Sequence, residues 1–174
     1  MNAADQKEQA KFHEELRHSV RSICRKYPDE YWRELDAELA YPEAFVEDIT
    51  KNGFLAALIP EEYGGSGLGI MEASIILEEI NRSGGNAGAC HAQMYTMGTL
   101  LRHGSLEQKR AYLPKIADGT LRLQAFGVTE PNTGTDTTKL RTFAEKKRDK
   151  YIVNGQKVFI SRAEHSDLMI LLVR

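Results

Sequence analysis

Residues 126–136, FGVTEPNTGTD, crowd Thr129, Asn132, Thr133, Thr135 and Asp136 around Pro131 and Gly134. They follow directly on a strand-like run from Leu121 to Phe126. A surface turn needs only a few short polar residues to bond its own backbone, and this loop has more than a turn requires. It presents hydroxyls and backbone donors from a rigid base at the end of a strand. Taken alone, it reads more readily as a well-capped β-connection than as a binding loop, with Asp136 capping its own turn.

The other candidate motifs carry less. Gly64-Gly65-Ser66-Gly67-Leu68-Gly69 precedes a helix, but it lacks the spacing of a dinucleotide loop and the Lys-Ser/Thr of a phosphate loop. It reads as a glycine-rich connection between helices. His13, His18, His91, His103 and His165 share no ligand spacing with one another or with Cys24 and Cys90, which argues against a metal site. No serine sits in a nucleophile elbow. The two cysteines have no paired spacing, so no disulfide framework is expected.

Composition sets the frame for these elements. With 174 residues, 41% hydrophobic and 28% charged, the chain has the make-up of a globular domain, or of one domain and part of another. A formal charge of −2 gives no basic patch for nucleic acid. The opening MNAADQKEQAKF has neither the apolar core of a signal peptide nor the arginine-rich look of a transit peptide, and a reducing cytoplasm is expected.

Up to about residue 120 the apolar period is helical. Phe12, Leu16, Val20 and Ile23 fall on one face. A second helix is predicted from Pro42 to Asn52, before Gly53, and a third around Ile70, Ala73, Leu77 and Ile80. A fourth covers Ser83 to Leu101, where no Lys, Arg, Asp or Glu occurs, so most of its sides should be buried. A fifth begins at Ser105, which forms a capping box with Gln108.

Beyond residue 120, strands are predicted at 121–128, 140–146, 150–154, 156–161 and 167–173. Asn154-Gly155 between two apolar runs is a strong hairpin signal. Helices followed by antiparallel strands indicate an α+β fold, with a helical domain over 1–120 and an incomplete antiparallel β-domain over 121–174. The apolar DLMILLVR at the end would be an exposed edge strand, so residue 174 is not expected to be the natural terminus.

Two segments together change the reading of the loop. VTEPNTGTD and YIVNGQKVFIS, with LIPEEYGGSGLG (58–69), LEEINRSGG (77–85) and HGSLEQKRAYLPKIADG (103–119) before them, resemble the acyl-CoA dehydrogenase family. The likeness runs over nearly the whole chain. It implies a helical N-terminal domain and the first part of a middle β-domain, with a C-terminal helical domain lying beyond these residues. It also implies FAD as cofactor, α,β-dehydrogenation of an acyl-CoA thioester, and electrons passed to an electron-transfer flavoprotein.

By the same resemblance, residues 126–135 lie along the flavin. Phe126, Val128 and Thr129 would then serve the ring, the last two through backbone amides and the Thr129 hydroxyl. Phe159, Ile160 and Ser161 would pack on the other side, with Phe159 standing where Trp is common and Ser161 where Thr is common. Thr135 would touch both cofactor and acyl-CoA. Cys90, His91, Met94 and Tyr95 would shape the acyl-tail pocket, although a lone histidine on a buried helix is more often hydrogen-bonded core. Arg162 replaces a small polar residue, and the resemblance gives it no role. The base that removes the α-proton is a Glu of the C-terminal domain, so none is assigned here, and residues 1–174 alone are expected to hold FAD weakly and to be inactive. Homotetramers or homodimers are expected. An acyl-CoA oxidase, a flavin-dependent monooxygenase of the same fold, or a non-catalytic FAD- or acyl-CoA-binding subunit are the alternatives.

Overall fold

The computed structural model describes residues 3–174, and the side chains from residue 4 on. Six α-helices come first: α1 (Ala3–Cys24), α2 (Asp29–Glu38), α3 (Glu43–Lys51), α4 (Ile70–Arg82), α5 (Gly88–His103) and α6 (Leu106–Ala117). Four short strands follow: β1 (Ala125–Gly127), β2 (Phe143–Lys147), β3 (Lys150–Asn154) and β4 (Met169–Leu171). The segregation of helices and strands is that of the expected α+β class.

The helical layer closes around two apolar clusters, one of them built on Met97 of α5 and Leu113 and Ile116 of α6. Leu16, Val20 and Ile23 of α1 meet Phe45, Val46 and Ile49 of α3 and Ile76 and Ile80 of α4. Phe12, one turn earlier on the same face of α1, remains 42% exposed. α6 begins as its capping box predicts: the Gln108 amide donates to Ser105 Oγ at 3.1 Å, and the Ser105 amide to Gln108 Oε1 at 2.9 Å. α5 starts later than expected, at Gly88, because Gly84 at φ +83° and Gly85 turn the chain first.

α2 has no counterpart in the sequence reading. Its stretch, DEYWRELDAE, buries no residue fully, and it meets the core through partly buried Tyr31 and Trp32. It is held by Trp32, whose indole N–H donates to the Tyr27 carbonyl at 3.1 Å and whose ring packs edge-on to Phe45. Pro28 followed by Asp29 and Glu30 was the available start signal.

The glycine-rich segment 64–69 folds back over residues 56–60. The amides of Gly65, Ser66, Gly67 and Leu68 donate to the carbonyls of Pro60, Ala56, Ile59 and Ala57. A Cβ at Gly65 would fall 2.1 Å from the Ile59 carbonyl oxygen. These donors are spent inside the fold, which excludes a phosphate cradle.

The strands differ from expectation in two ways. β2 and β3 form an antiparallel hairpin, but its turn is Arg148-Asp149, with Lys147 opposite Lys150 and Phe143 opposite Asn154. Asn154-Gly155 ends β3 instead. At φ +157°, Gly155 runs so close to Thr142 that a Cβ would lie 2.4 Å from its hydroxyl, and the chain turns away there. Residues 156–161 consequently form no strand; they bond to the 128–130 loop. The second difference is that β1 and β4 pair in parallel, Phe126 opposite Ile170. Among the described residues, no helix is long and apolar enough to cross a membrane.

Candidate functional site

The site begins where the sheet meets α5. Buried Thr96 of α5 donates its hydroxyl to the Leu123 carbonyl. Gln124, fully buried, accepts from Tyr41 Oη at 2.7 Å and lies 3.5 Å from Gln93 of α5. Buried polar side chains need such partners, and here they lock the entrance of β1 to the helical layer. Gly127 keeps that strand close to its neighbour: a Cβ would come within 2.9 Å of the Leu171 and Met169 side chains.

The loop after β1 is pinned from one side. The Gly127 carbonyl accepts from the Leu172 amide at 2.9 Å. The Val128 carbonyl accepts from Lys157 Nζ at 2.9 Å, and the Thr129 carbonyl from the Val158 amide at 2.9 Å. In a trans peptide the carbonyl and the next N–H point in opposite directions. The Val128 and Thr129 amides are therefore turned away from Leu172 and Lys157. Neither amide, nor the Thr129 hydroxyl, has a hydrogen-bond partner among the described residues.

Glu130 anchors the next turn. Its amide and carbonyl pair with those of Thr133, at 2.9 and 3.1 Å. Its carboxylate, in a residue only 6% exposed, accepts from the Arg141 amide at 2.6 Å, the Thr142 amide at 2.9 Å and Lys157 Nζ at 2.9 Å. The Thr142 hydroxyl beside it, these two amides and the Lys157 ammonium hold the carboxyl down at about 2, against the opposing effect of burial. Neither member of the Glu130–Lys157 pair was singled out as a partner from sequence. The available signal was one lysine in the second segment facing one glutamate in the first, both amid otherwise uncharged neighbours.

The other expected site residues fall into four groups. Phe126 points to the open side of β1, where its ring lies 5.7 Å from Tyr95, which in turn meets His91 edge-on at 5.0 Å. His91, Tyr95 and Phe126 thus form an exposed aromatic row from α5 to the loop. Cys90 and Met94, on the other face of α5, pack into the helical core, so they do not stand in that row. Burial pushes the Cys90 thiol up to about 12, which leaves it neutral and inert. Thr135 is exposed, and its carbonyl accepts from the Thr137 amide.

Phe159 is 91% exposed with φ +59°, Ile160 is half-buried, and Ser161 is exposed with no side-chain hydrogen bond among the described residues. Arg162 reaches the start of α5, where a Cβ at Gly88 would lie 3.2 Å from its guanidinium. No group of three or more His, Cys, Asp or Glu that could hold a metal occurs among the described residues.

The arrangement offers two outward amides, one hydroxyl and an adjacent aromatic row, with the Glu130 carboxylate and the Lys157 ammonium paired to each other. Uncharged donors beside a flat apolar face suit a polar aromatic ring such as a flavin, and the residues present fit that group.

Comparison with known proteins gives the family. Residues 10–120 match the profile of the acyl-CoA dehydrogenase N-terminal domain, and residues 125–174 that of the acyl-CoA dehydrogenase middle domain. An acyl-CoA dehydrogenase of Mycobacterium tuberculosis is 34% identical over 160 residues, covering 91% of this chain and 41% of the relative. The crystal structure of an acyl-CoA dehydrogenase from Geobacillus kaustophilus superposes with a TM-score of 0.85 at 30% identity, over 93% of this chain and 43% of that one. The prolyl acyl carrier protein oxidase AnaB shares the fold, with a TM-score of 0.84 at 27% identity over 92% of this chain and 43% of its own. The chain spans 33–41% of the length of the curated relatives it matches. It belongs to the acyl-CoA dehydrogenase family.

Proposed function

We propose that the protein containing this chain is an FAD-dependent acyl-CoA dehydrogenase that passes its electrons to an electron-transfer flavoprotein. The observation that carries this reading is the pair of outward amides at Val128 and Thr129, beside Phe126 and without a partner among the described residues. The cofactor, when bound, supplies hydride acceptance from the β-carbon of the thioester. The chain's own part is to hold and tune it: the Val128 and Thr129 amides and the Thr129 hydroxyl donate to the ring's polar edge, where preorganised donors stabilise developing negative charge. Phe126 contributes the apolar surface beside them, and Phe159, Ile160 and Ser161 cover the opposite side. Thr135 and the exposed row of His91 and Tyr95 face the acyl-CoA. Because Met94 and Cys90 belong to the core, they act only by holding α5 in place.

No carboxylate of this chain is assigned as base. Of the two in the loop, Asp136 is engaged by Thr138 and Lys139, and the lone pairs of Glu130 are taken by Arg141, Thr142 and Lys157. A base needs a free acceptor within hydrogen-bond reach of the α-proton. That role falls to a Glu outside residues 1–174, and these residues by themselves would bind FAD weakly and turn nothing over. A homodimer or homotetramer is the proposed assembly.

An oxidase is the second reading, favoured by the close superposition on AnaB. The test uses the protein as its source makes it. Under anaerobic conditions, acyl-CoA should bleach its flavin, and an electron-transfer flavoprotein should restore the colour. Oxygen consumption at a comparable rate would favour the oxidase. Flavin that no acyl-CoA bleaches would point to a non-catalytic binding subunit.

A further inference from the structure

The 128–129 peptide sits between two groups of the chain that have no other reason to meet. Lys157 Nζ reaches the Val128 carbonyl and the Glu130 carboxylate, each at 2.9 Å. Its side chain is 7% exposed and that of Glu130 is 5% exposed. A buried pair of this kind contributes little net stability over an apolar substitute, so its placement needs another account. Lys157 spends one donor on a backbone carbonyl that a water could serve equally well at the surface. What that bond fixes is the plane of one peptide: with the Val128 carbonyl held toward Lys157, the Thr129 N–H must face the other way. The next carbonyl, of Thr129, is held by Val158, the residue after Lys157.

We propose that Lys157, locked in place by Glu130, is a positioning residue that orients the 128–129 peptide so that the Thr129 amide is aimed at the cofactor. Lys157 itself touches neither cofactor nor substrate. The inference rests on the flavin reading above and adds to it the group that aims the donor. Glu130 has a matching part. Its contacts to Arg141 and Thr142 come from the chain entering β2, so the pair ties three segments (128–130, 141–142 and 157–158) into one rigid mount.

The experiment compares Lys157→Met, and the double variant Lys157→Met/Glu130→Gln, with the unaltered protein as its source makes it. The double variant removes both charges together and leaves Gln one carbonyl oxygen, which can accept one of the Arg141 and Thr142 amides that Glu130 takes with separate oxygens. It is the form in which stability should recover, because no buried charge is left unpaired. Four readouts are taken: thermal stability, the dissociation constant for FAD, hydrogen exchange of the Val158 amide, and the reduction potential of the bound flavin.

Loss of a charge-assisted bond corresponds to about tenfold or more in an equilibrium. The expected result is a double variant with near-normal melting, FAD bound about tenfold more weakly, Val158 exchange faster by a similar factor, and a bound flavin that is harder to reduce. A double variant that melts normally, binds FAD as tightly as the unaltered protein and keeps its reduction potential would overturn the proposal and leave the pair a structural one. Unchanged Val158 exchange in Lys157→Met would overturn it as well. If the unaltered protein takes up no FAD, the flavin reading itself fails, while Val158 exchange in the same samples still decides whether the pair holds the loop.

Discussion

Glu79 and Glu130 are both buried, in the helical and the strand region respectively, but they are satisfied differently. Glu79, fully buried on α4, accepts from Arg17 at 2.7 Å and from Arg21 at 2.5 and 2.9 Å, side chains that reach across from α1. Glu130 accepts two backbone amides and one lysine. Side-chain partners on a helix tie one element to another, and the helices keep their own backbone bonds. Amide partners fix the path of a chain that has no regular structure to fix it. A loop that must present amides outward requires the second arrangement. The apolar cores differ to match: the helical cluster is closed, whereas Phe143, Tyr151, Ile152 and Val153 of the β2–β3 hairpin remain 43–64% exposed.

The largest expected effect tests that last contrast. Phe45→Ala, in the closed cluster, should cost about 3–5 kcal/mol in urea unfolding, a typical penalty for emptying a buried aromatic site. Phe143→Ala on the exposed hairpin should change stability by no more than about 0.5 kcal/mol. Comparable losses at the two positions would break the comparison between the regions.

Acid comes next. The Thr142 hydroxyl, the Arg141 and Thr142 amides and Lys157 hold Glu130 at about 2 in the fold, against an ordinary value of 4.5. A depressed carboxylate contributes stability that is fully present above its unfolded value and is lost as pH falls through the folded one. Thermal melts should therefore lose stability from about pH 4.5 down to about 2, and Glu130→Gln should flatten that limb. Glu79 is lowered chiefly by Arg21, then by Arg17, so part of the acid limb should survive in the variant. A limb that is unchanged in Glu130→Gln would mean that the loop carboxylate is not held in this way.

Thr129→Val keeps the amide and removes the hydroxyl. FAD binding should weaken by roughly three- to tenfold, the range of one neutral hydrogen bond, with no change in melting of the FAD-free protein. Unaltered affinity would limit the donor set to the backbone. The smallest effect is expected at His91, an exposed side chain at the end of the aromatic row. In His91→Ala the relative kcat/KM among straight, branched and polar acyl-CoAs should shift by less than about tenfold. Equal ratios before and after would remove His91 from the acyl site.

Much of the helical part was legible in the sequence because period, caps and stops agree there: the Ser105 capping box and the face of Leu16, Val20 and Ile23 appear as expected. α2 was not: it is ten residues long, buries none of them fully and meets the core through two partly buried aromatics, which leaves a short helical period. The strand part was harder. Asn154-Gly155 has the composition of a hairpin turn, yet the close approach of Thr142 to Gly155 gives that glycine another use, and Arg148-Asp149 makes the turn. Periodicity shows which residues suit a strand but not which strand they meet, so residues 156–161 read as a strand although Lys157 and Val158 are committed to Glu130, Val128 and Thr129. The loop's polar crowding was visible in sequence. The clamp that aims it was not, because it depends on a contact between residues 27 apart.

The most direct measurement is hydrogen exchange at individual amides of the protein as its source makes it, with and without FAD. The Val128 and Thr129 amides have no partner among the described residues, so they should exchange freely without FAD and become protected when it binds, while Val158, already bonded to the Thr129 carbonyl, should change little. FAD binding that leaves Val128 and Thr129 as exposed as before would contradict the account.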